Sequence, residues 1–193
     1  MNMKHEENTD KRVSLKTKRL IIRNFRDDDY LDLYEYLSDP VTYIYEPGQP
    51  ISLKEAGKLC KERSKNNTFL AVELKKEKKL IGHIYFGKIE PEEYDTYEIG
   101  YIFNKKFHGH GYATEAAKKV IEYGFNEFGI HKIIANCDPK NKKSWKLLER
   151  LNMEREGKFR QKAFFRKNDK GEPMWHDAYS YGLLGGENCR DTF

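Results

Sequence analysis

The chain has 193 residues, 36 of them Lys or Arg and 31 Asp or Glu, for a formal net charge of +5. That length suits one domain able to bury about 70% of the surface its unfolded chain exposes, and the near-balanced charge falls short of a dedicated nucleic-acid binder. Cys60, Cys137 and Cys189 are too few and too scattered for a disulfide framework and form no Cys-x-x-Cys pair, and no stretch reaches the eighteen or so apolar residues of a membrane span. A reducing, cytoplasmic setting is expected, with neither membrane nor specific nucleic acid as partner.

Residues 1–12 are polar and charged without the apolar core of a signal peptide, and they are expected to form a flexible tail; the same holds for 186–193. Residues 13–185 are left as the domain. It opens on Leu15-Lys16-Thr17-Lys18-Arg19-Leu20-Ile21-Ile22-Arg23. Asp27-Asp28-Asp29 then offers an N-cap and helix-dipole partners for a helix bearing Tyr30, Leu33, Tyr34 and Leu37, which Pro40 closes. Positions 41–50 are rich in Tyr, Pro and Gly, and Ser52-Leu53-Lys54-Glu55 reads as a capping box opening a second helix to about Lys65.

The apolar runs Phe69–Leu74 and 80–87, joined by Lys75-Lys76-Glu77-Lys78-Lys79, read as a hairpin with a charged tip. An acidic connection, Glu90-Pro91-Glu92-Glu93-Tyr94-Asp95, leads to a third strand at 97–103; it reads as a solvated loop or as an attractor for a cationic acceptor. Next comes Phe107-His108-Gly109-His110-Gly111-Tyr112-Ala113-Thr114-Glu115. Two glycines one residue apart let the backbone curl and bring its N–H groups close to a ligand, and the amphipathic segment Tyr112–Phe128 aims a helix N-terminus at the same point. The strand Lys132-Ile133-Ile134-Ala135-Asn136-Cys137, the turn Asp138-Pro139-Lys140-Asn141 and a helix carrying Trp145, Leu148 and Leu151 repeat the strand-to-helix passage, and 177–184 reads as a closing strand. A dinucleotide-binding fold fits poorly, since a third glycine would fall at Thr114 and Gly111 stands further than the usual ~20 residues from Asp138.

These motifs resemble the GNAT N-acyltransferases, and within them the RimJ/RimL type. That family's pyrophosphate motif, Gln/Arg-x-x-Gly-x-Gly/Ala, is similar to His108-Gly109-His110-Gly111-Tyr112-Ala113, with His108 at the Gln/Arg position. Asn141-x-x-Ser144 and the run from Leu147 to Gly157 resemble a later family motif, and Thr17-Lys18-Arg19-Leu20 its first strand. Departures are His108, Asn152-Met153 in place of Gly-Phe, and a charged segment near 166–173.

The resemblance implies an α+β fold: a central, mostly antiparallel twisted sheet flanked by helices, with a splayed pair of strands holding the acyl-CoA. It implies an acetyltransferase that moves acetyl from acetyl-CoA, without a metal, to a primary amine. The first choice of acceptor is the α-amine of a ribosomal or other protein N-terminus. A small amine such as an amino acid, polyamine or antibiotic is the alternative, and a non-catalytic acyl-CoA sensor is the rival. The chain is expected to be a monomer or homodimer.

The expected cofactor contacts are His108, Gly109, His110, Gly111, Tyr112, Ala113 and Thr114 at the pyrophosphate, and Ile102, Phe103, Asn141 and Ser144 along the pantetheine arm and carbonyl. Glu98 is the candidate base, directly or through water, because an acid just before Ile-Gly-Tyr recurs in the family and an apolar strand favours a proton-accepting carboxylate. His83 is the fallback base. Ser144 resembles the family serine that protonates the leaving thiolate, although Asn141 and Ser144 also read as helix-capping residues. Tyr43 and Tyr45 are candidates for the acceptor wall.

Overall fold

The computed structural model describes residues 12–187 as eight strands and four α-helices. The expected tails lie outside these residues except for Arg12, Gly186 and Glu187. In chain order the elements are β1 (Ser14–Lys16), β2 (Leu20–Asn24), α1 (Tyr30–Leu37), α2 (Leu53–Arg63), β3 (Phe69–Leu74), β4 (Lys79–Lys88), β5 (Thr96–Phe103), α3 (Tyr112–Phe128), β6 (Lys132–Cys137), α4 (Lys142–Arg150), β7 (Glu154–Lys167) and β8 (Pro173–Leu184). One sheet runs in the order β1-β2-β3-β4-β5-β6-β8-β7, antiparallel throughout except where β5 meets β6.

Alternation along the strands divides the sheet into two apolar faces. On one, Leu20, Ile22, Ile84, Phe86, Ile99, Ile133 and Tyr181 pack with Ala116, Ala117, Val120 and Ile121 of α3 and Leu147 and Leu148 of α4. On the other, Ala71, Leu80 and Ile102 meet Leu33, Tyr36 and Leu37 of α1 and Cys60 of α2. Helix α3 sits close to the sheet because Gly124 has no side chain there: a Cβ would fall 2.6 Å from Phe86 Cζ and 2.9 Å from Ile130 Cδ1. Gly129, at φ 61°, ends the helix in the left-handed conformation glycine adopts readily.

The capping box at Ser52 and Glu55 forms as the sequence indicates, each side chain bonding the other's backbone N–H. Asp29 does something else. Residues 27–29 make a 3₁₀ turn, and the Asp29 carboxylate takes both ends of the buried Arg23 guanidinium (2.7 and 2.8 Å) and the Arg26 N–H rather than capping α1. A bidentate, charge-assisted pair out of water outcompetes a single neutral cap. Arg23 also binds Glu73 at 2.8 Å, which ties β2 to β3 and to the start of α1.

Candidate active site

Strands β5 and β6 run parallel and pair only at Thr96↔Lys132, Tyr97↔Ile133 and Glu98↔Ile134. Beyond that point β5 continues to Phe103 bonded to β4, while β6 turns away to pair with β8 through Cys137. The two strands therefore part at Glu98 and open a cleft whose walls carry backbone groups without the usual ladder partner.

The glycine loop lies at the open end. Gly109 (φ 84°) and Gly111 (φ 78°) are both left-handed, and Gly111 occupies the N-cap position of α3 with no side-chain cap. The first intrahelical bond runs from Glu115 N–H to Gly111 C=O, which leaves the N–H groups of Tyr112, Ala113 and Thr114 pointing out of the helix end. Residues 104–108 reach this point through a 3₁₀ turn capped by Asn104, which accepts from Lys106 N–H. His108 sits beside the loop and bonds the Phe103 carbonyl through Nε2 at 3.0 Å; the carbonyl can only accept, so Nε2 carries the proton. Its own N–H goes to Lys105 O. Both polar groups of His108 that the structure pairs are thus spent holding the loop against the end of β5.

A second anchor comes from 91 to 98 residues away in sequence. Glu115, in the first turn of α3, accepts from Thr17 Oγ1 (2.5 Å), Arg19 N–H (3.0 Å) and Arg19 Nε (2.7 Å), while Arg19 Nη1 donates to His110 O at 2.9 Å. The Arg19 guanidinium also lies over the Tyr112 ring, 4.5 Å from its centre. Arg19 thus adds a partly exposed cation to a loop that already presents backbone donors and a helix N-terminus. That combination suits a phosphate. The sequence motif contains neither Thr17 nor Arg19, and no local signal links them to it.

Along the cleft, Glu98, Gly100 and Ile102 share the α1/α2 face of β5, because Tyr97, Tyr101 and Phe103 pack on the other side and Ile102 packs toward α1. Gly100 leaves a gap beside Glu98 that is bounded by Tyr85, whose Cβ would stand 3.7 Å from a side chain there. Glu98 is partly buried, and its Oε1 accepts from Asn136 Nδ2 at 2.9 Å; Asn136 in turn accepts from Lys162 Nζ at 2.8 Å. A groove of about 570 Å³ lies at the starts of β5 and β6, lined among others by Thr96, Lys132, Ile134, Glu90, Glu93 and Asp95; Glu98 does not line it.

On the opposite wall, Tyr101 OH lies 3.0 Å from Ser144 Oγ and donates to Ser144 O at 3.1 Å. Ser144 also bonds the Cys137 thiol. Burial pushes the Tyr101 phenol up and the Cys137 thiol up to about 11, so both are neutral donors at physiological pH. Asn141 caps α4, its Oδ1 accepting from Ser144 N–H at 3.2 Å. Ser144 and Glu98 therefore lie on opposite faces of the sheet, and Tyr101, which no sequence motif singles out, bonds Ser144.

His83 does not take part. It is 3% exposed, its Nδ1 lies 2.8 Å from Tyr36 OH, and burial drives its pKa well down, so it is a neutral core histidine. Tyr43 is likewise buried, its OH donating to Leu37 O at 2.9 Å, which leaves Tyr45 as the more accessible of the two tyrosines. Among the described residues no group of three or more His, Cys, Asp or Glu side chains is placed to hold a metal, and no helix is long and apolar enough to cross a membrane.

Comparison with known proteins matches residues 19–154 to the family described as "Acetyltransferase (GNAT) domain". The "Uncharacterized N-acetyltransferase YnaD" of Bacillus subtilis (strain 168) is 39% identical over 176 residues, 91% of this chain and 99% of that protein. The "[Ribosomal protein uS5]-alanine N-acetyltransferase" of Escherichia coli (strain K12) is 30% identical over 158 residues, covering 76% and 80%. Among solved structures, a GNAT-family acetyltransferase from Bacillus anthracis superposes with a TM-score of 0.80 at 35% identity, over 91% of this chain and all of that one.

Proposed function

Because this chain belongs to the GNAT acetyltransferase family and is an N-acetyltransferase, we propose that residues 13–185 form one catalytic domain that transfers acetyl from acetyl-CoA to the α-amine of a protein or peptide in the cytoplasm. The observation that carries this reading is the position of Glu98. It stands where β5 and β6 part, beside the gap at Gly100, on the face that α1 and α2 cover. An α-amine has an unperturbed pKa of about 7.7–8.0 against about 10.4 for lysine, so a carboxylate base reaches its neutral form more readily at physiological pH. The similarity to an enzyme named for acetylating an alanine of uS5 supports the same acceptor class.

Acetyl-CoA, when bound, supplies the activated acetyl group as a thioester. The N–H groups of the loop from Gly109 to Thr114 hold its pyrophosphate, helped by the α3 dipole and by Arg19. The unladdered edge of β5 around Ile102 and Phe103 offers N–H and C=O groups to the amide-rich pantetheine arm, as an added strand would. Asn141 keeps its Oδ1 for the helix cap and has its amide N–H₂ to offer the arm. Glu98 accepts the amine proton, with Asn136 fixing its orientation. Ser144, backed by Tyr101, hands a proton to the departing sulfur.

The test is a competition at neutral pH between a short peptide with a free N-terminus and the same peptide N-blocked but carrying lysine. Faster acetylation of the free N-terminus is expected. Faster acetylation of the blocked peptide overturns the α-amine assignment.

A further inference from the structure

Asn136 carries an amide with two unlike edges, and the structure gives each edge a partner. Its Nδ2 donates to Glu98 Oε1 at 2.9 Å, and its Oδ1 accepts from Lys162 Nζ at 2.8 Å. An ammonium group can only donate, so the oxygen edge faces Lys162 and the N–H₂ edge then faces the carboxylate. Asn136 stands two residues past Ile134, the last position at which β6 pairs with β5. It lies on the same side of the sheet as Glu98, because its neighbours Ala135 and Cys137 pack with α3 and α4. The three side chains form one chain of hydrogen bonds from β7 through β6 to β5.

Strand β7 brings Lys162 to this point by an irregularity. Phe159 pairs with Ala178 and Ala163 with His176, so Arg160, Gln161 and Lys162 stand opposite Asp177 alone. A bulge of this kind re-aims side chains that regular alternation would send elsewhere. It is pinned from β8: Gln161 takes φ 49° and its N–H donates to Asp177 Oδ1 at 2.9 Å, while Lys158 pairs with Asp177 Oδ2 at 3.2 Å. Lys162 itself makes no ion pair among the described residues; its ammonium lies 5.0 Å from the centre of the Phe159 ring and gives its hydrogen bond to the amide. Ordering a surface lysine costs side-chain entropy, and most such lysines stay in water. A fixed bond to a neutral amide, one step from the candidate base, sets Lys162 apart from the other cations of β7.

We infer that Lys162 is a positioning residue for the transfer: by holding the oxygen edge of Asn136 it keeps the N–H₂ edge on Glu98 Oε1 and leaves Oε2 to take the proton of the acceptor amine. This rests on the reading of Glu98 as the base and names what aims it. Among the described residues Asn136 is the one hydrogen-bond partner of Glu98. A proton on Oε1 would meet the amide N–H, whereas Oε2 carries no such donor. The proton leaves nitrogen for Oε2 as the C–N bond forms. The C–S electron pair departs on sulfur, which is protonated through Ser144, and Glu98 returns its proton to solvent, from which Ser144 recovers the one it gave. Without Lys162, water satisfies either edge of the amide equally, and a half-turn about its last torsion puts Oδ1, which cannot donate, against the carboxylate. Glu98 then loses the contact that orients it, while its strand and the glycine loop keep their own bonds.

The experiment measures steady-state transfer from acetyl-CoA to an alanine-initiated peptide or to spermidine, whichever wild type acetylates faster. It compares wild type with Lys162→Met, Lys162→Arg, Asn136→Ala, and Lys162→Met combined with Asn136→Ala. Lys162→Met is expected to lower kcat about tenfold, with the KM for acetyl-CoA held within about twofold and the thermal midpoint within about 2 °C. Lys162→Arg keeps a donating cation and is expected to recover kcat to within about threefold of wild type. With Asn136→Ala already in place, Lys162→Met is expected to change kcat no further, since its effect passes through that amide. A fall in kcat of less than about threefold for Lys162→Met, an equal fall for Lys162→Arg, or a full further fall in the absence of Asn136 overturns the assignment. Near-normal turnover by Glu98→Gln overturns the reading of Glu98 as the base and this assignment with it. An impaired Glu98→Gln beside an unaffected Lys162→Met overturns the positioning role alone.

Discussion

Replacing Glu115 by alanine tests whether the glycine loop is held in shape from outside its own motif. The substitution removes the acceptor of three hydrogen bonds, from Thr17 Oγ1, Arg19 N–H and Arg19 Nε, two of them from Arg19. Hydrogen bonds to a charged group contribute about 1.5–3 kcal/mol each when well buried. The Arg19 side chain is 41% exposed and Glu115 19%, so solvent screening brings the total down to roughly 3 kcal/mol. For a chain of this size that corresponds to a fall of about 6–12 °C in the unfolding midpoint. Burial pushes the Glu115 carboxyl up, and the hydrogen bonds from Thr17 and Arg19 outweigh it, so its net shift is downward. A carboxyl lowered in the folded state contributes stability that is fully present above its unfolded value of about 4.3 and is lost as pH falls through its folded value. The gap between wild type and Glu115→Ala in differential scanning calorimetry is therefore expected to be full at pH 7 and to narrow toward pH 3.5. Acetyl-CoA affinity is expected to fall about tenfold, since Arg19 would no longer be fixed against His110 O; about 1.4 kcal/mol of lost preorganisation gives that factor. A midpoint change under 2 °C at pH 7, or an equal gap at both pH values, refutes the reasoning.

Gly111→Val is expected to abolish measurable acetyl-CoA binding in calorimetry, because a β-branched residue at φ 78° is strained and its side chain enters the phosphate cradle; unchanged affinity would remove the cradle from this loop. Glu98→Gln is expected to lower kcat by about 10²–10⁴ with acetyl-CoA affinity retained, whereas near-normal turnover would make Glu98 a structural partner of Asn136. Ser144→Ala is expected to cost less, since a thiolate leaves with little protonation help, and a fall in affinity alone would reclassify it as a binding residue.

Much of the fold was legible because local signals and hydrophobic pattern agreed. The glycines at 109, 111 and 129 bracket α3 at Tyr112 and Phe128, and the capping box opens α2 where Ser52 stands. Phe128 was the exception on that helix: it is 47% exposed and stacks on Tyr97 instead of entering the core. Strand β7 gave no pattern to read, because Glu154–Lys167 is largely exposed and charged and is held as a strand only by β8.

The site divides in the same way. The loop and the Glu98 position follow from a contiguous motif. Arg19 against His110, Tyr101 against Ser144, and Glu98 against Asn136 join residues 91, 43 and 38 positions apart, and such pairings exist only after the sheet assembles. Asp29 shows the cost of reading a cap locally, since its partner, Arg23, became decisive only through burial against Glu73.

The most direct measurement incubates the full chain with acetyl-CoA and an alanine-initiated peptide, following free thiol and locating the product's acetyl group by mass spectrometry. One thiol released per acetyl group, with that group on the α-nitrogen, is the predicted result. Tight binding of acetyl-CoA with no thiol released above background, for this peptide or any other primary amine, would contradict it.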